Sequence, residues 1–291
     1  MSRPKDLNTK IFLDSGDPEK TQEIKKLLGF LDGQTTNPTL VSRNPEVSER
    51  LEKGKKFSKK EILSFYKEVV EEISNIIPNG DISIEVYADR ETSVEEMLKQ
   101  AHKMNSWISS PHHIKLPTTQ KGLEAANRFC KNGGGLNMTL CFSQVQAAAV
   151  HLATKEISSS SVFVSPFVGR LDDRNINGMK LIENTLRMYE KIDSHVSVLV
   201  ASVRNMDHFL KAIQLEADII TSPYEVLKKW GQEGKPMPGD GFEYDTTSLE
   251  DIEYKNFDFS KNFKELNIEH PLTKKGMRKF SKDWNKLIDE N

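Results

Sequence analysis

The feature that most constrains the fold of this chain is a repeated alternation of short apolar segments with amphipathic helical ones. The apolar segments are short continuous runs, as expected for parallel strands that are covered on both faces. The predicted strands are Ile11–Asp14, Gly33–Thr36, Ile82–Tyr87, His113–Leu116, Leu136–Leu140, Val162–Ser165, Val196–Ser202 and Asp218–Thr221. Eight strand–helix units between residues 11 and 233 fit a closed parallel barrel better than an open, doubly wound sheet. We therefore predict an α/β fold, a (β/α)8 TIM barrel.

The segments between the predicted strands carry signals for the ends of helices. Gly29 follows an apolar helical stripe and predicts the end of the first helix. The candidate helix starts are Asp17 with Pro18 at the first helical position, Thr92 with Glu95, and Ser143 with Gln146. Residues 41–80 contain two helical patterns, so the second crossover is expected to be enlarged.

The last part of the chain is predicted to extend the barrel without forming a second domain. We assign the barrel to residues 10–233 and a C-terminal helical extension to residues 234–291, within a single domain. Phe280, Trp284, Leu287 and Ile288 form an apolar stripe at helical spacing. This stripe is consistent with a helix that packs back on the barrel or onto a second subunit in a homodimer.

Composition and charge exclude several classes of partner. The formal net charge of −2 gives no basic field for binding nucleic acid. No apolar run approaches the roughly 20 residues that span a bilayer, and residues 1–10 lack the apolar stretch of a secretory signal. Cys130 and Cys141 have no metal-binding spacing, so we expect two buried thiols, no metal and a cytoplasmic protein.

Polar side chains cluster at the carboxyl ends of the predicted strands, where barrel enzymes hold their active sites. The candidates are Asp14, Asn37, Glu85, Lys115, Asn137, Thr139, Ser165, Arg170, Ser202 and Arg204. One buried polar group is ordinary in a barrel, whereas a ring of such groups indicates a site.

Lys115 is the most informative of these candidates because apolar residues flank it within a predicted core strand. A lysine that faces into the barrel is partly desolvated, which favours the neutral amine that can attack a carbonyl. Asp14 and Glu85 end two other strands and could divide the proton transfers that such chemistry needs. The alternatives are that Lys115 reaches out to the barrel rim and that the carboxylates form structural salt bridges.

The remaining candidates suit a phosphorylated sugar. Arg170, Arg204 and Ser202 offer donors that match a phosphate, although Arg170 could instead pair with Asp172. The uncharged donors for sugar hydroxyls are Asn37, Asn137 and Ser165, which could also bond to local turns, and the candidate for lining the pocket is Phe167.

Seven short motifs together resemble transaldolase, in the order of that family and over roughly residues 10–230. They are Asp14–Asp17, Thr35–Leu40, Ser83–Val86, Ile114–Pro117, Asn137–Leu140, Ser165–Arg170 and Ala201–Asn205. The resemblance implies a Schiff-base enzyme that needs no cofactor. It implies that the enzyme moves a three-carbon dihydroxyacetone unit between sugar phosphates such as fructose 6-phosphate and erythrose 4-phosphate, in the non-oxidative pentose phosphate pathway.

The resemblance also implies a role for each candidate residue. Lys115 would form the Schiff base, and Asp14 would serve as acid and base at the hydroxyl that becomes the aldehyde. The other implied roles are water binding by Glu85 and Thr139, contact with the dihydroxyacetone unit by Asn37, Asn137 and Ser165, and phosphate binding by Arg170, Ser202 and Arg204.

Two alternatives to an active transaldolase follow from the same residues. Fructose-6-phosphate aldolases of this superfamily carry Gln at the place of Glu85 and Tyr at the place of Phe167, so this chain favours transfer over release. The other alternative is a catalytically silent barrel that binds sugar phosphate. The segment Tyr87–Arg90 departs from the Asp-Ala-Arg of many transaldolases, which puts the geometry of the Glu85 loop in question.

Overall fold

The structure, a computed structural model, describes residues 2–156, 161–239 and 241–289. Eight parallel strands close into a barrel in sequence order, which confirms the predicted (β/α)8 fold. The strands are β1 (Lys10–Asp14), β2 (Gly33–Thr35), β3 (Asp81–Glu85), β4 (His112–Pro117), β5 (Leu136–Cys141), β6 (Val162–Pro166), β7 (Val196–Val200) and β8 (Ile219–Ser222). The predictions for β3 and β7 ran too far at their carboxyl ends, because the chain leaves the ladder at Glu85 and Val200.

Helices follow the strands around the outside of the barrel. They are α1 (Pro18–Leu28), α2 (Pro38–Val41), α3 (Pro45–Glu52), α4 (Lys59–Ile76), α5 (Val94–Asn105), α6 (Gln120–Cys130), α7 (Gln144–Thr154), α8 (Val168–Asp172), α9 (Gly178–Lys191), α10 (Met206–Gln214), α11 (Tyr224–Gln232) and α12 (Pro271–Asn285), with a short 3₁₀ helix at Phe263–Glu265. The crossover between β2 and β3 is enlarged, as predicted, because it holds α3 and α4 as well as the single turn of α2.

The predicted helix ends are confirmed at two helices and wrong at a third. Asp17 caps α1, Gly29 ends it with a φ of 79°, and Ser143 caps α7. The capping box of α5 is formed by Ser93 and Glu96. This box begins one residue after the predicted Thr92, because the Thr92 hydroxyl donates to the Asp89 carboxylate at 2.7 Å and so does not cap the helix.

The interior of the barrel is apolar in its lower part and polar at the carboxyl ends of its strands. Phe12, Phe163, Leu199 and Ile219 belong to one buried cluster, and the His113 ring stacks on Phe163 with a centroid distance of 3.8 Å. Inward positions alternate with outward ones along each strand. The inward residues that follow this apolar layer along the strands therefore lie at the barrel mouth, which is formed by the carboxyl ends of the strands.

The terminal helix α12 packs back on the barrel mouth, which was one of the two arrangements that its apolar stripe left open. Phe280 and Trp284 are buried, and the Trp284 ring lies 5.9 Å from that of Tyr66 in α4. The Thr273 hydroxyl donates to the carbonyl oxygen of Leu140 in β5 at 2.9 Å. None of the described helices is long and apolar enough to cross a membrane.

Candidate active site

The register of β3 and β4 sets Glu85 beside Lys115 at the barrel mouth. The neighbouring Ile84 and Ile114 belong to the outer hydrophobic core, so the alternation of each strand turns the two polar side chains inward. The Lys115 Nζ atom lies 2.9 Å from Glu85 Oε2, and the two side chains are only 4% and 5% exposed. Nζ also donates to the carbonyl oxygen of Thr36 at 2.9 Å. The amine is therefore held in place and shielded from bulk water.

Burial governs the ionisation of the two carboxyl groups at the mouth. It raises the pKa of Glu85 above its usual value, against the opposing charge of Lys115. Burial likewise raises the pKa of Asp14, although Lys115 and the Thr35 hydroxyl both oppose that rise. Carboxyl groups with raised pKa values can hold and release protons closer to neutral pH, as general acid–base chemistry requires.

Asp14 lies at the end of β1, and a chain of hydroxyl groups orients its side chain. The Thr35 hydroxyl donates to Asp14 Oδ1 at 2.6 Å. The same Thr35 oxygen lies 2.6 Å from the Thr221 hydroxyl, which therefore acts as its donor. Sequence reasoning did not single out Thr221, because its contact with Thr35 forms only when β8 closes against β1.

Asn137 and Ser165 meet inside the barrel on β5 and β6. The Ser165 hydroxyl donates to Asn137 Oδ1 at 2.5 Å, and Asn137 Nδ2 donates to the Ser83 hydroxyl at 3.1 Å. Thr139 lies one inward position further along β5, and its buried hydroxyl has no hydrogen-bond partner among the described residues. A buried, unpartnered hydroxyl at a barrel mouth is unusual and is available to a bound molecule.

Asn37 and Phe167 are both buried and each has a structural contact. Asn37 caps α2, where its side-chain oxygen accepts from the Leu40 amide at 2.9 Å, so the amide nitrogen of its side chain is the group left for a ligand. Phe167 is 8% exposed and packs against Phe142 with ring centroids 5.7 Å apart. It therefore belongs to the core and also forms a wall beside Arg170.

Arg170 has no hydrogen-bond or ion-pair partner within the described parts of the chain. Its guanidinium carbon lies 5.1 Å from the centroid of the Phe167 ring and 5.4 Å from that of Phe280. The alternative pair with Asp172 is wrong, because that carboxylate is satisfied by other groups. They are the imidazole of His208 at 2.8 Å, the hydroxyl of Tyr244 and the amide of Gly178 at 2.8 Å.

Arg204 and Ser202 lie beside Arg170 in the loop after β7. Arg204 is half exposed and pairs with Asp173 at 2.9 Å. Gly169 lets the turn that carries Arg170 approach this loop, because a Cβ there would lie 2.3 Å from the Ser202 carbonyl oxygen and 2.5 Å from Arg204 Cγ. Burial, and after it the charge of Arg204, lower the pKa of Arg170. Two adjacent guanidinium groups of like charge favour an anion between them.

The segment after Glu85 is braced despite its unusual sequence. Gln100 pairs with the backbone of Tyr87 through two hydrogen bonds of 2.9 Å. The Tyr87 hydroxyl donates to Asp89 at 2.8 Å and accepts from Asn285 at 3.1 Å. The side chain of Arg90 is 97% exposed to solvent. These contacts hold the segment after Glu85 in place.

Two further groups near the site carried no sequence signal. The Tyr66 hydroxyl of α4 accepts from the Glu85 amide at 2.9 Å and lies 2.6 Å from the Thr36 hydroxyl, beside the carbonyl that holds the Lys115 amine. His208 accepts from the Arg204 amide at 3.3 Å. Among the described residues, no group of three or more His, Cys, Asp or Glu side chains could hold a metal ion.

The fold is a (β/α)8 barrel with a cluster of polar groups at its mouth, and comparisons with known proteins give its family. A family model described as Transaldolase/Fructose-6-phosphate aldolase matches residues 11–291. The chain is 35% identical to a probable transaldolase of Dehalococcoides mccartyi, over 94% of this chain and 97% of that protein. It is 34% identical to a probable transaldolase of Brucella anthropi, over 95% and 97%. The chain belongs to the transaldolase/fructose-6-phosphate aldolase family.

Proposed function

We propose that this protein is a transaldolase, which transfers a dihydroxyacetone unit from a ketose phosphate to an aldose phosphate. The observation that carries the proposal is the buried Lys115 amine at the barrel mouth, 2.9 Å from the Glu85 carboxyl. An amine in this environment is suited to attack a ketone, and the adjacent carboxyl can exchange the protons that imine formation moves.

In the first stage the Lys115 amine attacks the carbonyl carbon of the ketose and forms a carbinolamine. Loss of water then gives a protonated imine, so one water leaves for each imine formed. Glu85 lies beside the amine and supplies the proton that the departing oxygen requires. The unpartnered Thr139 hydroxyl is suited to hold that water next to Glu85.

In the second stage Asp14 removes the proton of the hydroxyl on C4 of the ketose. The bond between C3 and C4 breaks, its electron pair moves into the imine, and the products are a free aldose and an enamine on Lys115. A second aldose phosphate then accepts the enamine carbon, and the proton returns from Asp14 to the new hydroxyl. Water then adds to the new imine and reverses the first stage, which releases the new ketose phosphate and frees the Lys115 amine. The raised pKa of Asp14 supports this exchange, because the carboxyl must both accept and return a proton.

The other polar groups of the mouth are suited to binding the substrate. We assign the dihydroxyacetone unit to Asn37, Asn137 and Ser165, whose side chains offer amide and hydroxyl groups. The phosphate falls to Arg170, Ser202 and Arg204, with Phe167 as the wall beside Arg170. An unpaired and largely buried guanidinium has a strong electrostatic reason to bind an anion.

Transfer rather than release of free dihydroxyacetone is the finer part of the proposal. The enamine survives until an acceptor arrives only if water is poorly activated beside it. Phe167 brings no hydroxyl to the pocket, and it packs against Phe142 in an apolar cluster. The names of the relatives support transfer as well. We further propose that the enzyme acts without a cofactor, in the cytoplasm and in the non-oxidative pentose phosphate pathway.

The test mixes the protein with fructose 6-phosphate, with and without erythrose 4-phosphate, and follows the products by mass spectrometry. Transfer predicts glyceraldehyde 3-phosphate and sedoheptulose 7-phosphate in equal amounts, and little product without the acceptor. Free dihydroxyacetone without the acceptor would instead identify an aldolase. Binding of the sugar without turnover in either mixture would identify a silent barrel.

A further inference from the structure

The position of Arg170 depends on the C-terminal extension as well as on the barrel. Its guanidinium carbon lies over the ring of Phe167 from the barrel and over the ring of Phe280 from α12, with centroid distances of 5.1 and 5.4 Å. No hydrogen bond or ion pair to a described residue orients the group. The two aromatic rings are therefore what holds this cation at the mouth.

Gly276 of α12 makes this contact sterically possible. A Cβ atom at Gly276 would lie 2.7 Å from Arg170 Nη1 and 2.6 Å from Leu140 Cδ2. Both distances are shorter than real Cβ contacts, and both atoms are the ends of side chains, so a Cβ there would push the Arg170 guanidinium or the end of the Leu140 side chain out of its place.

Hydrogen bonds on both sides of Gly276 fix α12 over the mouth. Near the start of the helix, the Thr273 hydroxyl donates to the Leu140 carbonyl at 2.9 Å and accepts from Gln146 at 2.9 Å. Near its end, Asp283 accepts from the Thr39 hydroxyl at 2.6 Å. The helix thus spans from β5 and α7 to α2, and Phe280 lies between its two anchors.

We infer that α12 completes the phosphate site, with Phe280 as a positioning residue that holds Arg170 ready for the anion. The inference rests on the proposed function, which assigns the phosphate to Arg170. A free arginine side chain loses considerable rotamer freedom when it binds, and the nearby charge of Arg204 repels it from the site. A guanidinium already held against two rings avoids most of that loss, so the effect of Phe280 is on affinity for phosphate.

The test measures inorganic phosphate binding to the full-length protein by calorimetry, together with steady-state kinetics. We expect Phe280→Leu to weaken phosphate binding about tenfold, equivalent to about 1.4 kcal/mol. The KM for fructose 6-phosphate should rise by a similar factor, with kcat within about twofold. Capture of unphosphorylated dihydroxyacetone on Lys115 by borohydride should not change. The matched control is Phe263→Leu, an equally buried phenylalanine of the extension that packs against α7 instead.

Further variants keep each outcome informative. Gly276→Ala should displace the Arg170 guanidinium without removing the Phe280 ring, and it should also weaken phosphate binding, while circular dichroism checks that both variants are folded. Unchanged phosphate affinity in folded Phe280→Leu would overturn the inference, as would an equal loss of phosphate binding and dihydroxyacetone capture. If Arg170→Ala leaves phosphate affinity unchanged, the assignment of the phosphate itself is at fault. That result would overturn the inference together with the proposed phosphate site. It is distinct from a failure of the inference alone, in which Arg170→Ala weakens phosphate binding and Phe280→Leu does not.

Discussion

Replacing Glu85 with glutamine keeps the volume of the side chain but removes a carboxyl that lies 2.9 Å from the Lys115 amine. The amine keeps its hydrogen bond to the Thr36 carbonyl at 2.9 Å, so its position should change little. The variant loses the exchangeable proton, and a positioned acid or base typically contributes about 10²–10⁴-fold to a rate. We therefore expect imine formation to slow by about 10²–10⁴-fold, or about 2.7–5.4 kcal/mol in barrier height.

The assay mixes enzyme with fructose 6-phosphate, stops samples with borohydride at set times, and measures the reduced adduct by intact mass. Glu95→Gln on α5 is the control, because Glu95 is an exposed carboxylate on an outer helix, where it pairs with Arg128 of α6 at 2.5 Å. The wild-type rate should depend on an ionisation above the usual carboxyl range, since burial raises the pKa of Glu85. That dependence should vanish in Glu85→Gln. A decrease of less than about tenfold would refute a proton-transfer role for Glu85.

Two further predictions concern stability and the second carboxyl group. Because burial raises the pKa of Asp14 in the folded protein, ionising it costs stability as pH rises above the usual carboxyl range. Asp14→Asn should thus raise the free energy of unfolding by about 1 kcal/mol at pH 8, and calorimetry should show this gain shrinking toward pH 4. A gain independent of pH would contradict this reasoning. In the same variant, imine capture should persist without release of the aldose. Trp230→Ala should lower the free energy of unfolding by about 3–5 kcal/mol in urea titrations, because the fully buried Trp230 ring packs against Phe209 with ring centroids 5.0 Å apart. A loss below about 1 kcal/mol would show that the surrounding residues close the space left by the ring.

The barrel could be predicted from sequence because its strands are buried on both faces and its helices carry local start and end signals. Each such signal acts over a few residues, as Asp17 and Gly29 do at the two ends of α1. The start of α5 was predicted one residue too early because these signals are so local. Thr92 and Ser93 are both suited to cap a helix, and the choice depended on the turn around Asp89.

The inward residues of the site could also be predicted, since the carboxyl end of a strand and its alternation fix where a side chain points. Lys115, Glu85 and Asn137 all follow this rule. Contacts between distant segments could not be predicted. Asp172 pairs with His208 of α10 instead of with the nearby Arg170, because the fold, and not the spacing along the chain, decides which donor is closer.

The role of α12 lies beyond sequence reasoning for a similar reason. Its apolar stripe predicts a buried face but does not say which surface buries it. Only the folded chain brings Phe280 against Arg170, more than a hundred residues earlier in the sequence. Tyr66 is a second example, since its contacts with Thr36 and Glu85 join α4 to the ends of two strands.

The central claim is that Lys115 forms a Schiff base with the ketose substrate. The most direct measurement incubates the protein with fructose 6-phosphate, adds borohydride, and maps the product by peptide mass spectrometry. The account predicts a reduced three-carbon adduct on the peptide that contains Lys115, and its loss in a folded Lys115→Ala variant. Folded wild-type protein that gives no adduct at Lys115, or an adduct that persists in Lys115→Ala, would contradict the account.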